Sequence, residues 1–153
     1  LDISPTDASI LMSKYFERFG GIQDYLKEVV KIAREKGYTE TILGRRRYLP
    51  DLNHENRGRR EMAERMALNA PIQGSAADIV KQAMLNADSL LKSEKLKSRL
   101  LLQVHDELVF EVAKGEKDQV EKLAREAMAK AAPLLVPLDV SIGVGSSWDE
   151  AAH

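Results

Sequence analysis

The sequence has 153 residues, a length that suits one domain and can bury a core of its own. Positive and negative side chains nearly cancel, at a formal net charge of -1, so any nucleic-acid signal must come from local clustering. There is no cysteine, which excludes disulfides and thiolate metal sites and suits a reducing cytosol.

No apolar run approaches the roughly 18 residues that a membrane helix needs, and no signal-peptide pattern opens the chain. The first residue is Leu1, not methionine, so a longer parent is expected.

In chain order, Ser4-Pro5-Thr6-Asp7 predicts a helix start, with Ser4 as cap, Pro5 at the first helical position and Asp7 as capping-box partner. The helix carries Ile10, Leu11, Tyr15, Phe16 and Phe19 at helical spacing and is expected to stop at Gly20-Gly21. A second helix follows, with Tyr25, Leu26, Val29, Val30 and Ala33 on one face and Gly37 as its C-terminal stop. Tyr38 to Ile42 and Arg45 to Leu49, joined at Leu43-Gly44, predict a short hairpin. Pro50 to Gly58 is polar and turn-rich, a loop and the best internal boundary.

From Arg59 a helical pattern runs to about Glu94. Pro71 should break or kink it near Ala70, because an interior proline costs on the order of 3 kcal/mol. Ile79, Val80, Ala83, Met84, Ala87, Leu90 and Leu91 then form an apolar stripe. Arg99 to Val112 is nearly continuous apolar sequence interrupted by His105-Asp106-Glu107, which predicts two largely buried strands joined by a tight turn. A helix is expected over about Glu116 to Ala132, with Val120, Leu123, Ala127 and Met128 inward, and a last strand over Leu138 to Val144. The fold class is α+β, with helices on one face of a small antiparallel sheet.

The turn departs from hairpin chemistry. Two-residue turns favour Asn-Gly or Asp-Gly because the backbone visits positive φ. A histidine and two adjacent acids stand here instead, and broken local rules concentrate at functional sites. On the residues alone two readings stay open: Asp106 and Glu107 hold a hard cation through oxygen, or the turn is an ordinary solvated one. A magnesium site would need a further acid from elsewhere. Zinc is poorly supported, since His54, His105 and His153 are far apart in sequence. No serine sits in a strand-to-helix elbow pattern. Acid–base hydrolysis by Asp106 and Glu107 meets the difficulty that neighbours on a strand face opposite ways.

Arg65, Asn69 and Gln73 are spaced four apart, on one face of a continuous helix. All three donate hydrogen bonds, and the minor groove of every Watson–Crick pair offers acceptors at similar places. Such donors could grip a paired duplex without reading its sequence; a solvated helix face is the simpler reading of the same spacing. Arg45-Arg46-Arg47 with Arg57, Arg59 and Arg60 form a local basic patch suited to phosphates, diluted by Asp51, Glu55 and Glu61.

Four segments together resemble the family A DNA polymerases, the bacterial polymerase I group. They are Gly44 to Asp51, Ala63 to Asp78, Leu102 to Glu107, and Val136-Pro137-Leu138 with Trp148. The resemblance covers essentially the whole chain, and the second and third segments are specific in combination. It implies that Asp106 is the family's second catalytic aspartate, a ligand of a two-magnesium site, with Glu107 as auxiliary acid. His105 would lie near the primer terminus without binding metal. Arg65, Asn69, Gln73 and Gln103 would contact template, primer or the terminal pair.

The implied reaction is attack of a primer 3′-hydroxyl on the α-phosphate of a deoxynucleoside triphosphate, with primer-template DNA and triphosphates as partners and a bacterial cytoplasmic, nucleoid-associated setting. Residues 1 to 58 would belong to the fingers and 59 to 153 to the palm. The resemblance also places outside this chain the first catalytic aspartate, the triphosphate-gripping helix and the thumb, so no nucleotide-binding residue is expected here. Without those parts the chain should not polymerise alone, and apolar surface they would cover should stand open. A non-catalytic DNA-binding module, one chain of a split polymerase and a metal-dependent hydrolase centred on Asp106 are the rival readings.

Overall fold

The computed structural model describes residues 3–151. They divide after Gly74 into two compact units. Each has its own two-stranded antiparallel ribbon, so the fold is mixed helix and small sheet as expected.

In the first unit, helix α1 (Pro5–Arg18) is capped by Ser4, whose Oγ accepts the Asp7 N–H at 3.1 Å. The Asp7 carboxylate accepts from that same hydroxyl at 2.7 Å, so the bracing runs through the side chain and not through the Ser4 backbone N–H of a reciprocal box. Gly20 and Gly21 do not end this helix; they open the next. Phe19, at φ -123° and ψ 54°, turns the chain between α1 and α2 (Gly20–Lys36). Helix α2 ends as expected on Gly37, whose φ of 79° needs a residue without Cβ.

Strands β1 (Tyr38–Glu40) and β2 (Arg46–Tyr48) pair antiparallel, with Tyr38 opposite Tyr48. Gly44, at φ 83°, sits in their turn. The Leu49 N–H returns to the Gly37 carbonyl at 2.9 Å, closing the hairpin onto the end of α2. Residues Pro50–Asn53, expected as loop, wind into a 3-10 turn that drives Leu52 into the core beside Ala33, Leu49, Ala63 and Ala67.

Helix α3 (Arg57–Ser93) begins two residues before the expected start, because Asn56 caps it: the Asn56 Oδ1 accepts the Arg59 N–H at 3.2 Å. The break expected near Ala70 does not end the helix, which is helical through Pro71. Proline removes one N–H from the ladder, but its ring lies on the buried side, in line with Ala63 and Ala67. Burial of that face offsets the lost bond. A Cβ on Gly74 would come within 2.8 Å of the Thr41 methyl, so glycine there lets the β1–β2 turn lie against the helix.

In the second unit, the apolar stripe of α3 buries Ala83, Ala87 and Leu91. The helix closes without glycine. Lys95 takes φ 55°, the Leu96 N–H reaches the Leu91 carbonyl at 3.0 Å, and the Lys95 N–H reaches that of Lys92 at 3.1 Å. This is a Schellman closure. Strands β3 (Arg99–Val104) and β4 (Glu107–Glu111) follow, then α4 (Lys117–Ala129), which turns Val120, Ala124 and Ala127 inward.

Two further expectations need correction. The β3–β4 ribbon is not largely buried: Leu101 is 52% and Leu102 44% exposed. The register slips between Leu100 and Leu102, and this bulge breaks the alternation that would have turned one of them inward. Nor is Leu138 to Val144 a strand. The Val140 carbonyl accepts from Arg125, and the following segment folds against the short helix α5 (Trp148–Ala151), where a Cβ on Gly143 would overlap the Ala151 carbonyl. No helix among the described residues is long and apolar enough to cross a membrane.

Candidate active-site turn and nucleic-acid interface

The second unit carries the acidic turn. Val104 pairs with Glu107, so the loop is two residues, His105 and Asp106, and Glu107 is the first residue of β4. His105 adopts φ 52°, a backbone region that side chains with a Cβ rarely enter. The Gln103 carboxamide donates to the His105 carbonyl and braces this conformation from within the ribbon. Asp106 and Glu107 are exposed, and among the described residues neither carboxylate has a hydrogen-bond or ion-pair partner. A left-handed backbone thus lies directly beside two acids that have no partner among the described residues.

The base of the ribbon is pinned by a residue that sequence reasoning passed over. The Glu116 carboxylate accepts the Lys97 N–H at 3.0 Å, the Ser98 N–H at 2.9 Å and the Ser98 hydroxyl at 2.6 Å. Ser98 Oγ in turn accepts the Ala113 N–H at 2.8 Å. Entry to β3 and exit from β4 are thereby fastened to one side chain, leaving the turn at the ribbon's far end. The Ser98 hydroxyl and the two backbone N–H groups hold the Glu116 carboxyl below the usual carboxylate range. An acid just before the first turn of a helix was the available signal.

Two neighbouring carboxylates offer the hard oxygen donors that magnesium prefers. They do not close a site by themselves. Among the described residues no group of three or more His, Asp or Glu side chains could hold a metal.

The first unit carries the polar stripe. Arg65, Asn69 and Gln73 are all exposed, one helical turn apart along α3, opposite the buried Ala63–Ala67–Pro71 side. Among the described residues the one hydrogen bond of Arg65 is to the Met62 sulfur at 3.8 Å, and Asn69 and Gln73 make none. Three donors therefore stand ready on one surface.

The basic patch is less available. Arg46 pairs with Glu40 at 2.7 Å and Arg57 with Glu61 at 2.6 Å. Arg60 donates to the His54 carbonyl at 3.0 Å, Arg59 lies 3.2 Å from His54 Nε2, and Arg45 donates to the Gly74 carbonyl at 3.2 Å. His54 is occupied in holding this loop, and His153 lies outside the described residues.

A solved structure superposes on the whole of this chain, helices, ribbons and acidic turn together. It is the polymerase domain of Pol1 from Mycobacterium smegmatis in complex with DNA primer-template and dNTP, 61% identical, with a TM-score of 0.95 over 100% of this chain and 27% of that one. DNA polymerase I of Mycobacterium leprae is 62% identical over 153 residues, and that of Bacillus caldotenax 49% identical over 151. The chain spans 17% of the length of these relatives. Residues 1–150 match the model of DNA polymerase family A, and the chain belongs to that family.

Proposed function

We propose that this chain is the carboxyl-terminal part of a DNA-directed DNA polymerase that adds deoxynucleotides to a primer 3′-end, working in the bacterial cytoplasm at the nucleoid. Residues 1 to 58 would serve as part of the fingers and 59 to 153 as the end of the palm. The observation that carries the reading is the two-residue His105–Asp106 loop, with its left-handed histidine and unpartnered carboxylates, in a chain of this family.

Asp106 would contribute one carboxylate to a magnesium site whose other ligands lie outside this chain, and Glu107 would be the auxiliary acid beside it. Magnesium, when bound, would supply charge stabilisation for the attacking and leaving oxygens. The chain's own task is positional. The Gln103 brace at the turn and the Glu116 pin at the ribbon's base would hold the Asp106 backbone in place before DNA arrives, leaving little reorganisation for the reaction step. Arg65, Asn69 and Gln73, with Gln103, would donate to minor-groove acceptors of template and primer near the terminal pair. His105 would lie at the primer terminus.

The test is primer extension by the full-length polymerase that carries this segment. Asp106→Ala should lower turnover by roughly a thousandfold, the scale of several kcal/mol of lost charge stabilisation, while primer-template affinity changes little. Near-normal turnover would remove Asp106 from the metal site. A wild-type protein that binds primer-template without extending it would favour a non-catalytic DNA-binding module.

A further inference from the structure

The β1–β2 hairpin carries an aromatic cluster that the proposed reaction does not use. Tyr38 and Tyr48 face each other across the ribbon, ring centroids 5.5 Å apart and tilted by 59°. Arg46 lies on the same face as Tyr48, two residues away along the strand. Its guanidinium sits 4.6 Å from the Tyr38 ring centroid and pairs with Glu40 at 2.7 Å. Tyr38 is half-buried by this packing, but Tyr48 is 68% exposed.

A cross-strand pair of rings stabilises a hairpin, and that accounts for Tyr38. It does not need the Tyr48 ring to stand open to solvent. The ring is nonetheless held by its neighbours, so a flat partner stacking on it has little side-chain entropy left to remove. Glu40, the single acid of the hairpin, is taken by Arg46, and Arg47, next to Tyr48 in the strand, has no ion-pair partner among the described residues, so a cation able to attract a phosphate stands nearby.

We propose that Tyr48, braced by Tyr38 and Arg46, is a stacking platform for an unpaired base of the single-stranded template. The inference rests on the polymerase reading above. Single-stranded DNA is the fitting occupant because a duplex keeps its base faces covered by their neighbours and offers only edges and phosphates. An unpaired strand exposes faces, and every base has one, so the platform is indifferent to sequence.

The experiment measures binding of the full-length polymerase to primer-templates that are blunt or carry a single-stranded 5′ template overhang, with natural or abasic overhang nucleotides. In the wild type the overhang should tighten binding by about tenfold, the usual worth of one stacked base, and abasic nucleotides should remove that gain. Tyr48→Leu should lose the same gain and be insensitive to abasic substitution, whereas Tyr48→Phe should keep it. Blunt-duplex affinity should be equal in all three proteins, which also shows that the variants are folded. An overhang gain that survives Tyr48→Leu, or a wild type indifferent to abasic nucleotides, would overturn the platform. Failure of the wild type to bind even blunt primer-template would instead overturn the polymerase reading, and the platform with it.

Discussion

Ser98 and Glu116, 18 residues apart in sequence, are joined twice: the Ser98 hydroxyl and the Ser98 N–H both donate to one Glu116 oxygen, at 2.6 and 2.9 Å. Ser98 is buried, and its Oγ also accepts from Ala113 on the outgoing strand. One carboxylate thus closes the open end of the ribbon whose other end presents Asp106.

This gives Glu116 a pH signature. Its carboxyl titrates lower in the folded chain than in the unfolded one, because its donors favour the charged form. The stability it contributes is therefore present above the unfolded value and lost as pH falls through the folded one. Glu116→Gln should lower the urea midpoint at neutral pH, and the gap to wild type should shrink in acid, below about pH 4. A gap that stays constant across that range would mean the carboxylate charge contributes nothing.

Lys95 occupies the left-handed position of the Schellman closure of α3, at φ 55°. A Cβ is unfavourable there, and no polar partner holds the lysine in place among the described residues. Lys95→Gly should raise stability by roughly 0.5–1 kcal/mol, read as a higher denaturation midpoint at an unchanged m-value.

Asn69→Ala and Gln73→Ala should each weaken primer-template binding by the polymerase about fivefold, the worth of roughly 1 kcal/mol per hydrogen bond. The loss should be the same on duplexes of different sequence, since minor-groove acceptors recur in every pair. Titration against two unrelated duplexes decides it. A loss confined to one of them would point to base readout instead.

The 153-residue chain alone should show no primer extension above a protein-free control. Two unpartnered acids do not assemble a metal site among the described residues. Measurable turnover by the purified chain with magnesium and triphosphates would contradict the assignment of the remaining ligands to other parts of the polymerase.

Much of this was readable from residues whose chemistry acts locally. Ser4 and Gly37 announce their helix ends because a hydroxyl cap and a left-handed glycine have few alternatives. The acidic turn stood out because it violates a local rule. What escaped notice depends on distant partners. Asn56 looked like a loop residue until its side chain met the Arg59 N–H. Of the break or kink that Pro71 predicts near Ala70, the break does not occur, because propensity yields where a ring is buried on a helix's inner face. Leu138 to Val144 has strand composition, yet Arg125 takes the Val140 carbonyl and the α5 turn takes the space beside Gly143. Periodicity cannot see such competitors. Gln103, expected at the site, has a structural duty as well, bracing the turn that it precedes.

The two-residue loop between Val104 and Glu107 also acts as a gauge. Side chains on a strand alternate with a period of two, so one residue added to or removed from the loop would invert the whole of β4. Leu108 and Phe110 would exchange places with Val109 and Glu111, and Asp106 would swing to a new bearing. The bearing of the Asp106 carboxylate is therefore set by the count of residues as well as by their kind. A single-codon insertion here should be more damaging than most substitutions.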